Sequence, residues 1–133
     1  MRYDNASPVL IVLGGLPGTG KTTLARELTR RLEATYLRID AIEQTLRAAG
    51  NAVGPMGYVV ANALAAENLN LGRVVIADCV NPVLASRAGW RQTAPQESAR
   101  IVEIEVVCGD ARLHQQRVDA HLRYRCFQVA NMG

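Results

Sequence analysis

The first apolar run of the chain, Val9-Leu10-Ile11-Val12-Leu13, is continuous, rich in branched side chains and ended by Gly14-Gly15. A short apolar run without polar alternation predicts a strand covered on both faces, as in a parallel sheet. From Lys21 to Leu32 the period changes: Leu24, Ala25, Leu28 and Leu32 recur at helical spacing while Arg26, Glu27, Arg30 and Arg31 take the other face. The glycine-rich segment between them therefore joins a strand to a helix.

The same alternation continues. Thr35 to Ile39 reads as a second strand, and Asp40-Ala41-Ile42-Glu43 has the Asp-x-x-Glu spacing of a capping box opening a helix to about Ala49. Gly50, Gly54, Pro55 and Gly57 break the chain before an alanine-rich helix from about Tyr58 to Leu71, which Gly72 stops. Val74-Val75-Ile76-Ala77 predicts a third buried strand ending in Asp78. Asn81-Pro82 opens a helix from Val83 to about Thr93, with Leu84, Arg87, Ala88 and Arg91 on successive turns, and Pro95 is expected to end it. Ile101 to Val107 gives a fourth strand, with Glu103 and Glu105 alternating against Ile104 and Val106 in the manner of a sheet edge. A last helix is predicted from Asp110 to about Arg125. Strands alternating with helices imply right-handed crossovers and an α/β fold with a parallel sheet covered on both sides. No internal repeat or low-complexity linker interrupts the pattern, so residues 1–133 read as a single domain, long enough to bury about two-thirds of its unfolded surface.

Composition narrows the class. Hydrophobic residues make up 49% and charged residues 20% of the chain, values that exclude a disordered or fibrous protein. The run from Val9 to Leu13 is too short for a membrane span or a signal-peptide core, and Met1 to Pro8 is polar, so a cytoplasmic protein without membrane association is expected. Cys79, Cys108 and Cys126 have no paired spacing, which argues against a disulfide framework or a zinc site. His114 and His121 share a helix face but lack the i, i+4 spacing of a paired metal site. A net charge of +3 suits phosphate-bearing ligands yet falls short of a dedicated nucleic-acid surface, so nucleic acid is not the favoured partner. Of 15 basic residues, Lys21 is the only lysine.

That lysine lies in Gly15-Leu16-Pro17-Gly18-Thr19-Gly20-Lys21-Thr22, the Gly-x-x-x-x-Gly-Lys-Thr pattern of a phosphate-binding loop, placed as that loop requires between a strand and a helix. Its glycines let backbone amides converge on an anion, Lys21 reaches the outer phosphates of a nucleoside triphosphate, most simply ATP, and the Thr22 hydroxyl is placed for Mg²⁺. Gly15, Pro17, Gly18, Thr19, Gly20, Lys21, Thr22 and Thr23 form the candidate nucleotide-binding set, although the simpler reading of Thr23 is that it just continues the helix. Asp40, at the C-terminal end of the second strand, is either a general base toward an acceptor hydroxyl or a helix cap partnered by Glu43. Asp78 ends a buried strand and is either the carboxylate that orients the metal shell opposite Thr22 or a strand-end turn residue. Arg112, Arg117, Arg123 and Arg125 on the last helix include candidates, Arg117 first, for closing over the phosphates; a solvated basic face is the ordinary alternative. Arg87 and Arg91 serve either substrate or surface. Trp90 and Tyr58 line an acceptor pocket or belong to the core.

Together these residues resemble the P-loop small-molecule kinases of the AAA_33 and zeta-toxin-like group, relatives of gluconate kinase and chloramphenicol phosphotransferase. The resemblance covers about Val9 to His121 and is carried by Gly15 to Thr22, by Asp40, by Gly57-Tyr58 with Gly72 to Asp78, and by Cys108-Gly109-Asp110 with Arg117-Val118-Asp119. It implies a three-layer P-loop NTPase sandwich with a sheet in the order 2-3-1-4-5, and MgATP held at Lys21 and Thr22. It also implies Asp40 as base toward a small-molecule hydroxyl, and Arg117 as the lid arginine. The family often has a second arginine four residues after the first, where this chain has His121. Residues from about 110 to 133 read as a lid helix and an atypical tail in which strand five and the closing helix are missing. Such an uncovered sheet edge favours a homodimer or exchange of the C-terminal segment. A slow NTPase without an acceptor, or a polynucleotide 5′-hydroxyl kinase, would carry the same loop.

Overall fold

The computed structural model describes residues 8–15, 19–80 and 84–107, with only the backbone described for 84–87. Within them, β1 (Val9–Gly14), α1 (Lys21–Leu32), β2 (Thr35–Arg38), α2 (Ile39–Ala48), α3 (Met56–Asn70), β3 (Val74–Asp78), α4 (Leu84–Gln96) and β4 (Arg100–Glu105) follow one another. The four strands form one sheet in the order β2-β3-β1-β4, and every pairing is parallel. This is the predicted order over the described strands. Register is set by Leu10 opposite Val75 and Ile101, and by Leu37 opposite Ala77.

Alternate residues of each strand enter different layers. Leu10, Val12, Leu37, Val75, Ala77 and Ile101 join Ala61, Ala65, Leu69, Trp90 and Ala94 from α3 and α4 in one core. Leu13, Ile76 and Val106 face the opposite way onto Ala25 of α1, with Ile11, Leu24, Leu28, Tyr36 and Ile104 packed around them. Trp90, Leu10, Leu13 and Ile76 are fully buried; each such aliphatic side chain contributes about 1.5–3 kcal/mol of transfer free energy. The near absence of polar residues in β1 and β3 thus records a sheet that is covered twice.

The four described helices end in the same way. The residue after the last turn takes a left-handed conformation, Glu33, Gly50, Gly72 or Ser98. The next amide then reaches back five residues: Ala34 to Thr29, Asn51 to Leu46, Arg73 to Asn68, and Ala99 to Ala94. Gly50 and Gly72 make this conformation at no steric cost.

Two local expectations are corrected. Pro95 does not end α4 ahead of itself but lies inside its last turn. The missing proline amide costs one helical bond there, while Ser98 N bonds the Pro95 carbonyl and both Glu97 N and Ala99 N bond the Ala94 carbonyl. Asp40 and Glu43 form no capping box either. The helix α2 follows β2 without a loop, its N-cap is Arg38, and no side chain caps it. Asp40 already has helical geometry and its carboxylate accepts a hydrogen bond from Gln44 Nε2 at 3.0 Å. Glu43 instead lies over Gly57, whose missing Cβ would stand 2.6 Å from Glu43 Cγ.

Candidate functional site

Three parallel strands bring their C-terminal ends to one edge of the sheet. β1 delivers Gly15, β3 delivers Asp78, and β2 delivers Arg38 and then Asp40, with Arg38 and Asp78 directly opposite in register. Open α/β sheets bind ligands at this edge.

Gly15 shows why the loop starts with glycine. Its φ is +146°, and a Cβ there would lie 2.5 Å from the Val106 carbonyl oxygen and 3.5 Å from Thr19 Oγ1. The Val106 amide donates to the Gly14 carbonyl at 2.9 Å, so β4 closes tightly against the start of the loop. At the other end Gly20 caps α1 in a left-handed conformation, φ 90°, without a side-chain cap. The first helical bond runs from Leu24 N to Gly20 O. The amides of Lys21, Thr22 and Thr23 therefore have no partner within the helix and point at the loop, the arrangement that attracts an anion. For Thr23 this gives a place to its backbone, while its side chain is exposed.

Asp78 is the centre of the side-chain network. It is 2% exposed, and its Oδ1 accepts from Lys21 Nζ at 2.5 Å. Its Oδ2 accepts from Thr22 Oγ1 at 3.0 Å and from Tyr36 Oη at 2.6 Å. A carboxylate so deeply buried is tolerable only when it is paired and its lone pairs are occupied, and three donors meet that need. The loop lysine, the first helical threonine and the strand-end aspartate are thus joined in one network.

Tyr36 was not anticipated. Its ring packs in the α1 layer, half-buried. Burial first, then its hydrogen bond to Asp78, push the phenol up to about 12, against the opposing charges of Arg38 and Arg26. The signal was present in the alternation of β2: Tyr36 and Arg38 share a face, two residues apart, and pair with Ile76 and Asp78 of β3. A tyrosine one step short of a strand end has the reach to place its hydroxyl level with the last residue of the neighbouring strand.

Asp40 stands apart from this network. Its side chain is 54% exposed, and Arg38 Nη2 lies 3.6 Å from its Oδ2. It is open to an incoming group at the same edge of the sheet. Trp90, by contrast, is fully buried and meets Tyr58 edge to face with ring centroids 6.4 Å apart, so it belongs to the core. Arg91 is engaged by Glu103 of β4, Nε to Oε2 at 2.5 Å and Nη2 to Oε1 at 2.6 Å. Glu103, read as an edge residue, has a side chain only 13% exposed because α4 covers it. Leu16, Pro17, Gly18, Asn81, Pro82, Val83, Cys108, Gly109, Asp110, Arg112, His114, Arg117, Asp119, His121, Arg123, Arg125 and Cys126 lie outside the described residues, as does the side chain of Arg87.

No magnesium-binding cage is built by the described side chains alone: no group of three or more His, Cys, Asp or Glu comes together among them. The donors that do meet, a threonine hydroxyl and a carboxylate, are the hard oxygens Mg²⁺ prefers, and Mg²⁺ commonly takes one or two of these together with phosphate oxygens and water. The residues fit that ion.

The AAA_33 family, an AAA domain, matches residues 10–128. The chain belongs to this family. No curated protein matches it. Among solved structures it is similar to a protein of Chloroflexus aurantiacus j-10-fl, with 22% identity over 86% of this chain and 65% of that one, at a TM-score of 0.68. It is similar to the Mycobacterium tuberculosis APS kinase CysC solved with AMPPNP and APS, with 20% identity over 85% and 69% of the two chains and a TM-score of 0.66. It is also similar to a gluconokinase of Sinorhizobium meliloti 1021, with 17% identity over 90% and 70% and a TM-score of 0.57. The chain spans about two-thirds of the length of each, from 65% to 70%. These likenesses and the 2-3-1-4 sheet show a P-loop NTPase α/β fold. Among the described residues no helix is long and apolar enough to cross a membrane.

Proposed function

We propose that this AAA_33 protein binds MgATP and transfers its γ-phosphoryl group to a hydroxyl of a small molecule. The observation that carries the reading is the junction of Lys21, Thr22 and Asp78 beside the uncapped amides of α1, with Asp40 exposed at the same edge of the sheet.

The loop amides and Lys21 would take the β- and γ-phosphates. Thr22 and Asp78 would hold Mg²⁺, which would supply neutralisation of phosphate charge there. Asp40 Oδ2 would accept the proton of the acceptor hydroxyl as its oxygen attacks phosphorus, the Arg38 guanidinium keeping that carboxylate at hand. In this chemistry positioning and charge neutralisation supply most of the rate, and the base supplies a smaller part. Arg117, on the segment outside the described residues, is the proposed stabiliser of the transferring group. A cytoplasmic setting and a small-molecule partner, with nucleic acid disfavoured by the modest charge, complete the reading.

Titrating MgATP calorimetrically into the wild-type protein and into Lys21→Ala tests the site. Saturable binding that the variant loses supports it. Product formation across a panel of hydroxyl compounds, lost in Asp40→Asn while MgATP still binds, supports transfer. Phosphate release that needs no acceptor and survives Asp40→Asn would instead make the protein a slow NTPase.

A further inference from the structure

Among the described residues Asp78 has three side-chain donors, and two of them have other work in the reading just proposed. Lys21 Nζ, now on Oδ1, has to turn to phosphate oxygens when nucleotide enters the loop. Thr22 has a single proton, which it gives to Oδ2 at 3.0 Å, and its oxygen is a proposed ligand of the cation. Once Lys21 leaves, the buried carboxylate loses its ion pair and one of its three bonds together.

Tyr36 has no such second duty. It stands on β2, outside the loop, its ring fixed against the α1 layer and its hydroxyl 2.6 Å from Oδ2. Of the three, only this bond comes from a regular strand and stays available whichever way Lys21 points. With Oδ2 held by both Tyr36 and Thr22, rotation of the carboxylate is restrained and Oδ1, the oxygen Lys21 vacates, keeps facing the phosphate-binding edge. We infer that Tyr36 is a positioning residue that holds the Asp78 carboxylate oriented for a divalent cation while Lys21 exchanges from Asp78 to phosphate. This rests on the nucleotide-binding reading and adds to it a residue that touches neither nucleotide nor acceptor.

The test removes the hydroxyl and keeps the ring. In Tyr36→Phe the packing in the α1 layer survives, so thermal unfolding of the ligand-free chain is measured first, as the control for folding. ATP affinity is then measured by calorimetry on the full chain twice, with Mg²⁺ and with EDTA, for wild type and variant. A bond to a charged group accounts for about a threefold to thirtyfold change in affinity. The expected result is a MgATP affinity lower by that factor, with metal-free ATP affinity unchanged within about twofold and a Mg²⁺ titration midpoint raised in parallel. A purely structural tyrosine would lower both affinities together and leave their ratio alone, and that outcome overturns the inference. An unchanged ratio in a folded variant with unchanged affinities overturns it as well, while leaving the nucleotide-binding reading standing. If wild-type protein shows no saturable ATP binding in either condition, the reading itself falls and the inference with it.

Discussion

Lys21 and Asp78 neutralise each other inside the protein, Nζ to Oδ1 at 2.5 Å with side chains 10% and 1% exposed. The lysine is therefore held at the mouth of its loop before any ligand arrives. Breaking a buried pair from one side costs more than the pair contributes, because the remaining charge stays buried. In Lys21→Met the Asp78 carboxylate keeps, among the described residues, two hydroxyl donors, and the ligand-free chain is expected to lose about 3–5 kcal/mol in denaturant unfolding. Adding Asp78→Asn should restore part of that loss. A double variant less stable than Lys21→Met alone would show that Asp78 is not destabilised by losing its lysine.

The same contact bears on ligand affinity. In Asp78→Asn nothing anionic retains Lys21, so metal-free ATP is expected to bind at least as tightly as to wild type, while the additional affinity conferred by Mg²⁺ shrinks. Calorimetry with and without EDTA separates the two. Weaker binding of metal-free ATP would mean that Asp78 holds Lys21 in its productive position instead of competing with phosphate for it.

Gly15 and Gly57 both lack room for a Cβ, yet they predict different outcomes. At Gly15 the obstacle is the backbone oxygen of Val106, 2.5 Å away, and φ is +146°. Neither can yield without parting β1 from β4, so Gly15→Ala should cost at least about 2 kcal/mol and abolish ATP binding. At Gly57 the obstacle is the side chain of Glu43, with Cγ 2.6 Å from the Cβ position, and no left-handed φ is involved. Turning Glu43 to another rotamer relieves it at about 0.5–1.5 kcal/mol. Equal losses in the two variants, read from urea unfolding, would contradict this.

The succession of strands and helices was legible because the sheet is covered twice, which makes β1 and β3 continuous apolar runs, and because Gly50 and Gly72 mark helix ends. The places of Lys21 and Thr22 at the start of α1 and of Asp78 at the end of β3 were legible because a loop motif and a strand end fix them relative to the backbone. What could not be read depends on contacts between elements. The Tyr36 hydroxyl bond requires the β2–β3 register, and the Arg91–Glu103 pair requires α4 to lie across β4. Nor could spacing show that β2 runs straight into α2, which turns Asp40 from a cap into an exposed residue of the first helical turn. Glu33 and Ser98 end helices in a left-handed conformation that sequence assigns first to glycine.

Arg91 meets Glu103 through both nitrogens of a planar fork, a geometry that lysine cannot copy. The guanidinium side chain is 38% exposed, so solvent screens part of the attraction. Arg91→Lys and Arg91→Ala are each expected to lose only about 1 kcal/mol in unfolding experiments. A double cycle with Glu103→Gln should return a coupling of about that size. ATP binding should not change, since the pair joins α4 to β4 and takes no part in the loop. A loss of ATP affinity in Arg91→Lys would place Arg91 in the ligand site after all.

Cys79 follows Asp78 and is 2% exposed, its thiol lying 3.8 Å from the Leu13 carbonyl. Burial is the main cause that pushes this thiol up to about 12 from 9.0, with the charge of Lys21 opposing and that of Asp78 adding. Thiolate is the reactive form, so at pH 8 the native chain holds about a thousandfold less of it at this position than an unfolded chain does. Iodoacetamide followed by peptide mapping should label Cys79 slowly in native protein and rapidly in denaturant. The sign of the linkage follows from the same shift. Above pH 9 the unfolded chain releases the thiol proton while the folded chain keeps it, so the folded state binds more protons and stability falls as pH rises. The loss reaches about 1.4 kcal/mol by pH 10 and continues until the folded thiol itself ionises. Cys79→Ala should flatten the alkaline limb of the stability profile by that amount. Native labelling as fast as in denaturant, or an unchanged profile in Cys79→Ala, would mean that the strand end opens readily enough for the thiol to meet solvent.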